Sequence, residues 1–155
     1  MCDLYEFYHY LPVNDDAMRW GIYVTTAGRG HIPMEQAYPP VGHPSLYQFR
    51  WQHGRILPEF QVILITKGQG VVTSQVTSQM AVIPNTLILL FPGVWHSYHP
   101  DPSTGWQERW ISLNSETLHR LMNQGLIQPE RALRPVNDVE KRVGTFDGLL
   151  ARISE

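Results

Sequence analysis

Cysteine is almost absent. Cys2 is the only one in 155 residues, so no intramolecular disulfide can staple the chain and its stability must come from a core. Charge is also scarce. Asp, Glu, Lys and Arg make up 17% of the sequence, against about a quarter in an ordinary soluble domain, which argues against a charged helical array or a disordered tail. There is no basic excess either: 12 Lys plus Arg face 14 Asp plus Glu, for a formal charge of −2. A protein that lives on phosphate contacts carries a clear positive surplus, so these residues offer no nucleic-acid footprint, and no Lys/Arg cluster marks a membrane surface. No apolar run is long enough to span a bilayer. The stretch Met1 to Tyr10 carries Asp3 and Glu6 where a signal peptide would need a basic start and an apolar middle, so the expected location is cytoplasmic. Gly-x-Ser-x-Gly is missing, and Gly68-Gln69-Gly70 is too short to cradle a phosphate and opens no helix. No catalytic residue and no cofactor are expected.

What is present is punctuation. Twelve Gly and twelve Pro imply many turns between short strands. The β-forming stretch Trp20 to Thr26 reads as a first strand stopped by Ala27-Gly28, and residues 28–44, with seven Gly or Pro, read as a long loop. Leu46 to Trp51 alternates as a strand. Phe60 to Thr66 is a nearly continuous apolar run, the mark of a strand buried on both faces. Lys67-Gly68-Gln69-Gly70 then reads as a tight turn, with Val71 to Thr77 returning as the hairpin partner. Met80–Ile83, Leu87–Phe91, Trp95–His99 and Gln107–Leu113 complete about eight strands, which implies a sandwich or barrel. After Asn114 the pattern changes. Ser115 to Asn123 predicts a helix capped by Asn114 or Ser115. Val136, Val139, Val143, Phe146, Leu149, Leu150 and Ile153 recur at steps of three and four, which predicts an amphipathic helix capped by Asn137 or Asp138. Gly144 and Gly148 weaken that helix, so it needs a packing partner. It has no stop signal before Glu155, as though cut in mid-helix.

Seven His invite a metal reading. His96 and His99 lie three apart on one strand and so point to opposite faces. The run from Phe60 to Ile83 holds no His, and its nearest acid is Glu59. No strand face offers three ligands, and no metal site is expected; His31, His43 and His53 read as loop residues. The aromatics say more. Trp95, Tyr98, Trp106 and Trp110 fall on neighbouring strands, and Trp106, Glu108 and Trp110 share one face of theirs by period two. Flat rings beside a carboxylate suit a neutral polyhydroxyl ligand. The alternative is that the rings simply fill the barrel.

Several stretches together resemble the effector-binding domain of AraC-type transcription regulators: YPPVGHP (38–44), YQFRWQHGRILPEFQVILITKGQG (47–70), LILLFPGVWHSYHP (87–100), GWQERWISL (105–113), and LMNQGLIQPERALRPV (121–136) followed by an amphipathic helix. The resemblance implies a mainly β fold, a cupin-like barrel of the double-stranded β-helix or jelly-roll kind, followed by α-helices. Residues 1–114 would be the effector-binding barrel with an N-terminal arm. Residues 115–155 would be a helical segment forming a homodimer, truncated before a helix-turn-helix domain through which alone the full-length protein binds DNA. It also implies effector contacts at the basic residue before the Gly-x-Gly turn, at the Tyr after the FPG-x-x-H histidine, and at two positions on the last strand. Here these are Lys67, Tyr98, Glu108 and Trp110, with His96 beside them at the barrel mouth. For Lys67 an exposed turn lysine is the competing reading. The expected effector is a small saccharide whose identity the residues do not name. A metal-dependent cupin enzyme acting on a sugar or small metabolite is the alternative, opposed by the missing His-x-His pair. A dimerisation module without a ligand is a third reading.

Overall fold

The computed structural model describes residues 7–39 and 50–155. The chain runs β1 (Phe7–Tyr10), α1 (Asp15–Arg19), β2 (Ile22–Ile32), β3 (Phe60–Gly68), β4 (Gly70–Ser74), β5 (Thr77–Val82), β6 (Thr86–Leu90), β7 (His96–Pro100), β8 (Trp106–Ser115), α2 (Glu116–Asn123), a 3-10 turn (Pro129–Arg131), β9 (Leu133–Pro135) and α3 (Val139–Ile153). The strands form two sheets, six-stranded in the order β1-β2-β8-β3-β6-β9 and three-stranded in the order β5-β4-β7. The fold is mainly β with helices at the C-terminal end. No helix among the described residues is long and apolar enough to cross a membrane.

Two cores follow from the two-residue period of β3. Ile63 and Ile65 point between the sheets, where they meet Ile32, Val72, Val82, Ile88, Leu90, Tyr98 and Trp106. Val62 and Leu64 point to the opposite face, where Ala27, Ile111, Leu87 and Leu113 join Phe146, Leu150, Val143 and Ile153 of α3. The unbroken apolar run of β3 is thus buried on both sides. The amphipathic stripe of α3, capped at Asp138, finds its partner in the six-stranded sheet. The sequence pattern asks for such a partner without saying which surface supplies it. Ser115 caps α2 by accepting from Leu118 N, as its pattern predicts.

Three expectations are corrected. β2 does not stop at Ala27-Gly28 but runs on to Ile32 and pairs with β8 throughout, so Gly28, Gly30 and His31 are strand residues. Gly28 is small because it lies opposite Trp110: a Cβ there would meet the Trp110 ring at 2.4 Å. Second, Val71 to Thr77 is not a hairpin partner of β3. Gly68 ends β3 in one sheet and Gly70 opens β4 in the other. The chain changes sheet there, and only glycine fits: Gly68 has φ +82, and its Cβ would fall 2.0 Å from the Gly105 carbonyl oxygen. β4 pairs instead with β5 and β7. Third, Trp51 lies in a turn; the rest of the strand expected at Leu46–Trp51, apart from Arg50, and also His43, lie outside the described residues.

Candidate functional site

Strand alternation decides what enters the space between the sheets. On β8 the inward residues are Trp106, Glu108, Trp110 and Ser112, while Arg109 and Ile111 face α3. On β7 they are His96 and Tyr98, both buried. Two side chains from outside the regular strands complete the group. Tyr38 follows β2, and Arg55 precedes β3, where it bridges to His96 through paired backbone hydrogen bonds of 2.9 Å.

One half of the site is a polar belt. Thr26, Ser112 and Gln61 stand on one rung across β2, β8 and β3. Thr26 Oγ1 donates to Ser112 Oγ at 2.9 Å, and Gln61 Nε2 donates to the same oxygen at 3.0 Å. This orients the Gln61 carbonyl toward Arg55, whose Nη2 donates to Gln61 Oε1 at 2.9 Å and to Tyr98 Oη at 2.8 Å. The guanidinium carbon lies 5.6 Å from the centre of the Tyr98 ring, within cation–π range. Arg55 Nε donates to His96 Nε2 at 3.2 Å. His96 Nε2 is therefore an acceptor, so the ring proton sits on Nδ1 and points to Val94 O at 3.2 Å. Burial and then the charge of Arg55 push the His96 pKa down to about 3, which keeps the imidazole neutral and able to accept.

The other half is a carboxylate in an aromatic box. Tyr38 Oη donates to Glu108 Oε2 at 3.1 Å. Burial, and next the charge of Glu108, hold the Tyr38 pKa well above its ordinary value, so the phenol stays a donor. Its ring meets Trp106 edge-to-face at 5.7 Å and tilts against Tyr98 at 6.0 Å. Glu108 lies over Gly30 on the neighbouring strand. A guanidinium at one end and a carboxylate at the other can orient a ligand rich in both donors and acceptors. Among the described residues, no three His, Cys, Asp or Glu side chains gather closely enough to hold a metal ion.

A model of the AraC-like ligand binding domain matches residues 41–155. The chain belongs to that family. The AraC-like domain is similar in structure to the protein YhaK from Escherichia coli, with a TM-score of 0.53 and 12% identity, over 86% of this chain and 52% of that one. It thus spans about half of YhaK, and at this identity the likeness concerns the fold alone. Lower likenesses connect it to the cupin domain of Schizosaccharomyces pombe Cnp3 (TM-score 0.44, 15% identity, 79% of this chain and 76% of that one) and to an RmlC-like cupin family protein from Methanocaldococcus jannaschii (0.42, 8%, 77% and 88%). No curated protein matches the sequence.

Of the five residues singled out in the AraC-like sequence, His96, Tyr98 and Glu108 come together between the sheets. Trp110 is half-buried at the margin of the same core. Lys67 is not with them. It is exposed, and it stands opposite Gln107 rather than Trp106, because a bulge separates it from Ile65. That bulge inverts the face which a strict two-residue period would give it. Sequence reading did not single out Tyr38, Arg55 and Gln61. Gln61 carried a signal, since a lone amide in the apolar run FQVILIT must find a partner once buried. Arg55 and Tyr38 lie outside the regular strands, where period carries no information.

Proposed function

We propose that this AraC-like domain senses a small neutral polyhydroxyl effector, a mono- or disaccharide, held between the two sheets. The single observation behind this reading is the Tyr38–Glu108 hydrogen bond inside the box of Tyr98 and Trp106. A phenol from a connecting segment fills the space with a ring and presents one hydroxyl to a carboxylate. A saccharide has the same two elements, an apolar ring face and hydroxyl donors, and it would take over both on displacing Tyr38. Arg55 and Tyr98 would hydrogen-bond hydroxyls at the other end, His96 would keep Arg55 in place, and Trp110 would cover the ring from the margin. In the full-length protein, residues 1–114 would sense the effector. Residues 115–155 would link that barrel to a DNA-binding domain, in a cytoplasmic homodimer.

The test is calorimetry of the domain against L-arabinose, D-xylose, D-galactose, D-glucose, maltose and melibiose, repeated with Glu108→Gln. One or more should bind with a Kd between roughly millimolar and ten micromolar, the range expected when a few hydrogen bonds and a ring contact offset lost ligand freedom. Glu108→Gln should weaken binding, because an amide presents one acceptor oxygen where a carboxylate presents two. If none of the six binds, the saccharide reading is overturned.

A further inference from the structure

Trp106 raises a question that the box around Tyr38 does not answer. Its side chain is among the most deeply buried, with 1% of the residue exposed, and its indole N–H has no acceptor among the described residues. Leaving such a donor unpaired carries the full cost of taking it out of water with nothing to offset it. A side chain without a donor would fill an apolar core without that cost.

The surroundings show which way the N–H faces. Trp106 pairs with Ile32 on one side and Gly68 on the other. The Cε3–Cζ3 edge of the ring is pressed on Gly70, where an added Cβ would stand 2.6 Å from Cζ3 and 2.9 Å from Cε3. The Nε1 edge lies on the opposite side of an indole, so it faces away from β4. Tyr98 stacks at 6.3 Å, and Tyr38 meets the ring at 5.7 Å and 85°. A near-perpendicular ring offers a π face or a C–H edge, both second-order contacts compared with an oxygen acceptor. The same Tyr38 donates to Glu108. The ring that carries the unpaired N–H and the acceptor carboxylate thus both meet one phenol.

We infer that the Trp106 indole N–H is a recognition group, and that the effector places an acceptor oxygen on it while one of its hydroxyls donates to Glu108. This rests on the proposed function and narrows it. The effector must carry an ether or hydroxyl oxygen close to a hydroxyl donor, and Trp106 selects by hydrogen bonding rather than as core filling.

The decisive measurement is an NMR titration of the domain carrying 15N-labelled indoles, with the Trp106 resonance identified by substituting each of the other four tryptophans in turn. Any saccharide that binds in the calorimetric panel should move the Trp106 Nε1–H signal downfield and slow its exchange with water. Trp106→Phe should weaken that saccharide about fivefold, the equivalent of one hydrogen bond, whereas Trp20→Phe, at a residue 82% exposed, should not. If a saccharide binds while the Trp106 signal stays still, the inference is overturned and the saccharide reading stands. If none binds, the saccharide reading fails and 1,4-dioxane, an acceptor with no donor, becomes the probe, in the wild type and in Tyr38→Ala. A downfield shift confined to Trp106 then supports the inference, and silence in both proteins overturns it. The wild-type titration decides even if Trp106→Phe does not fold.

Discussion

Tyr38 and Glu108, seventy residues apart, are joined by a hydrogen bond of 3.1 Å inside the core. The donor comes from a connecting segment and the acceptor from the central strand β8, so the bond pins the segment over the site. Tyr38→Phe keeps the ring and removes the donor. A hydrogen bond to a charged group is worth about 1.5–3 kcal/mol, and urea unfolding should show a loss of that size. Tyr38→Ala should act differently. It removes the group that competes for the space and so raises the binding-competent fraction. Calorimetry should then give a lower Kd for the bound saccharide, even as the fold loses stability. A weaker Kd would mean that Tyr38 stays and contributes to binding.

Alternation along β3, β7 and β8 made both cores and the inward set of Tyr98, Glu108 and Trp106 legible, because period two holds wherever a strand is regular. It fails where the strand is not. The bulge between Ile65 and Lys67 turns Lys67 outward. The change of sheet at Gly68-Gln69-Gly70 looks like a hairpin turn in sequence, since both need glycine at positive φ. Arg55 and Tyr38 reach the site through tertiary packing alone. The partner of α3 was open for a related reason: an apolar stripe shows that a helix is covered but not by what.

The covering of α3 sets a prediction. Phe146 is 7% exposed and packs on the same outer core as Leu64, Ala27 and Ile111. Phe146→Glu would bury a charge or expose that core, at a cost of about 3–5 kcal/mol or more. The variant should lose its cooperative thermal transition or melt far below the wild type. A well-folded monomer with an unchanged melting temperature would show that the stripe serves a contact between copies instead.

The glycines of the chain should divide sharply. Gly144 and Gly148 in α3 have nothing within 4 Å of an added Cβ. Alanine at either should stabilise the domain by about 0.5–1 kcal/mol through helix propensity. At Gly68 the Cβ would strike backbone 2.0 Å away at φ +82, so Gly68→Ala should cost several kcal/mol, on the scale of strain in a tightly packed core. Chemical denaturation of the three variants measures this, and equal effects would contradict the sheet change at Gly68.

Asp147 ties α3 to the outer face of β8 and β2. Its Oδ1 accepts from Arg109 Nε at 2.9 Å and its Oδ2 from Arg109 Nη2 at 3.4 Å, with Arg29 Nη1 3.8 Å away. The Asp147 side chain is 36% exposed and that of Arg109 19%, so the loss in Asp147→Ala should stay near 1 kcal/mol or below and shrink as salt rises. Arg109 adjoins Glu108 and Trp110, which face the site from the same strand. Hydrogen exchange in α3 should therefore slow on saccharide binding in the wild type and respond less in Asp147→Ala. An identical response in both would place the link elsewhere.

His96 predicts how stability follows pH. In the unfolded chain its pKa is near 6.5, and in the folded chain burial and Arg55 depress it to about 3. Above pH 6.5 the ring is neutral in both states and the site costs nothing. Between these two values the unfolded chain binds a proton that the folded chain refuses, so stability falls as pH falls, by up to about 1.4 kcal/mol per unit. Below the folded value both states are protonated and the loss levels off. Protonation would also place a second cation against Arg55 Nε, 3.2 Å from His96 Nε2, and would break the bond that orients the guanidinium. Saccharide affinity should therefore hold across that range and decline only as the pH approaches about 3. Carboxylates add their own acid sensitivity, so the comparison needed is with His96→Gln, which keeps an acceptor that does not titrate. Urea unfolding at pH 7.5, 6.5, 5.5 and 4.5 should show the wild type losing stability faster than the variant below pH 6.5. Parallel curves would mean that burial and Arg55 do not hold the imidazole neutral in the folded protein.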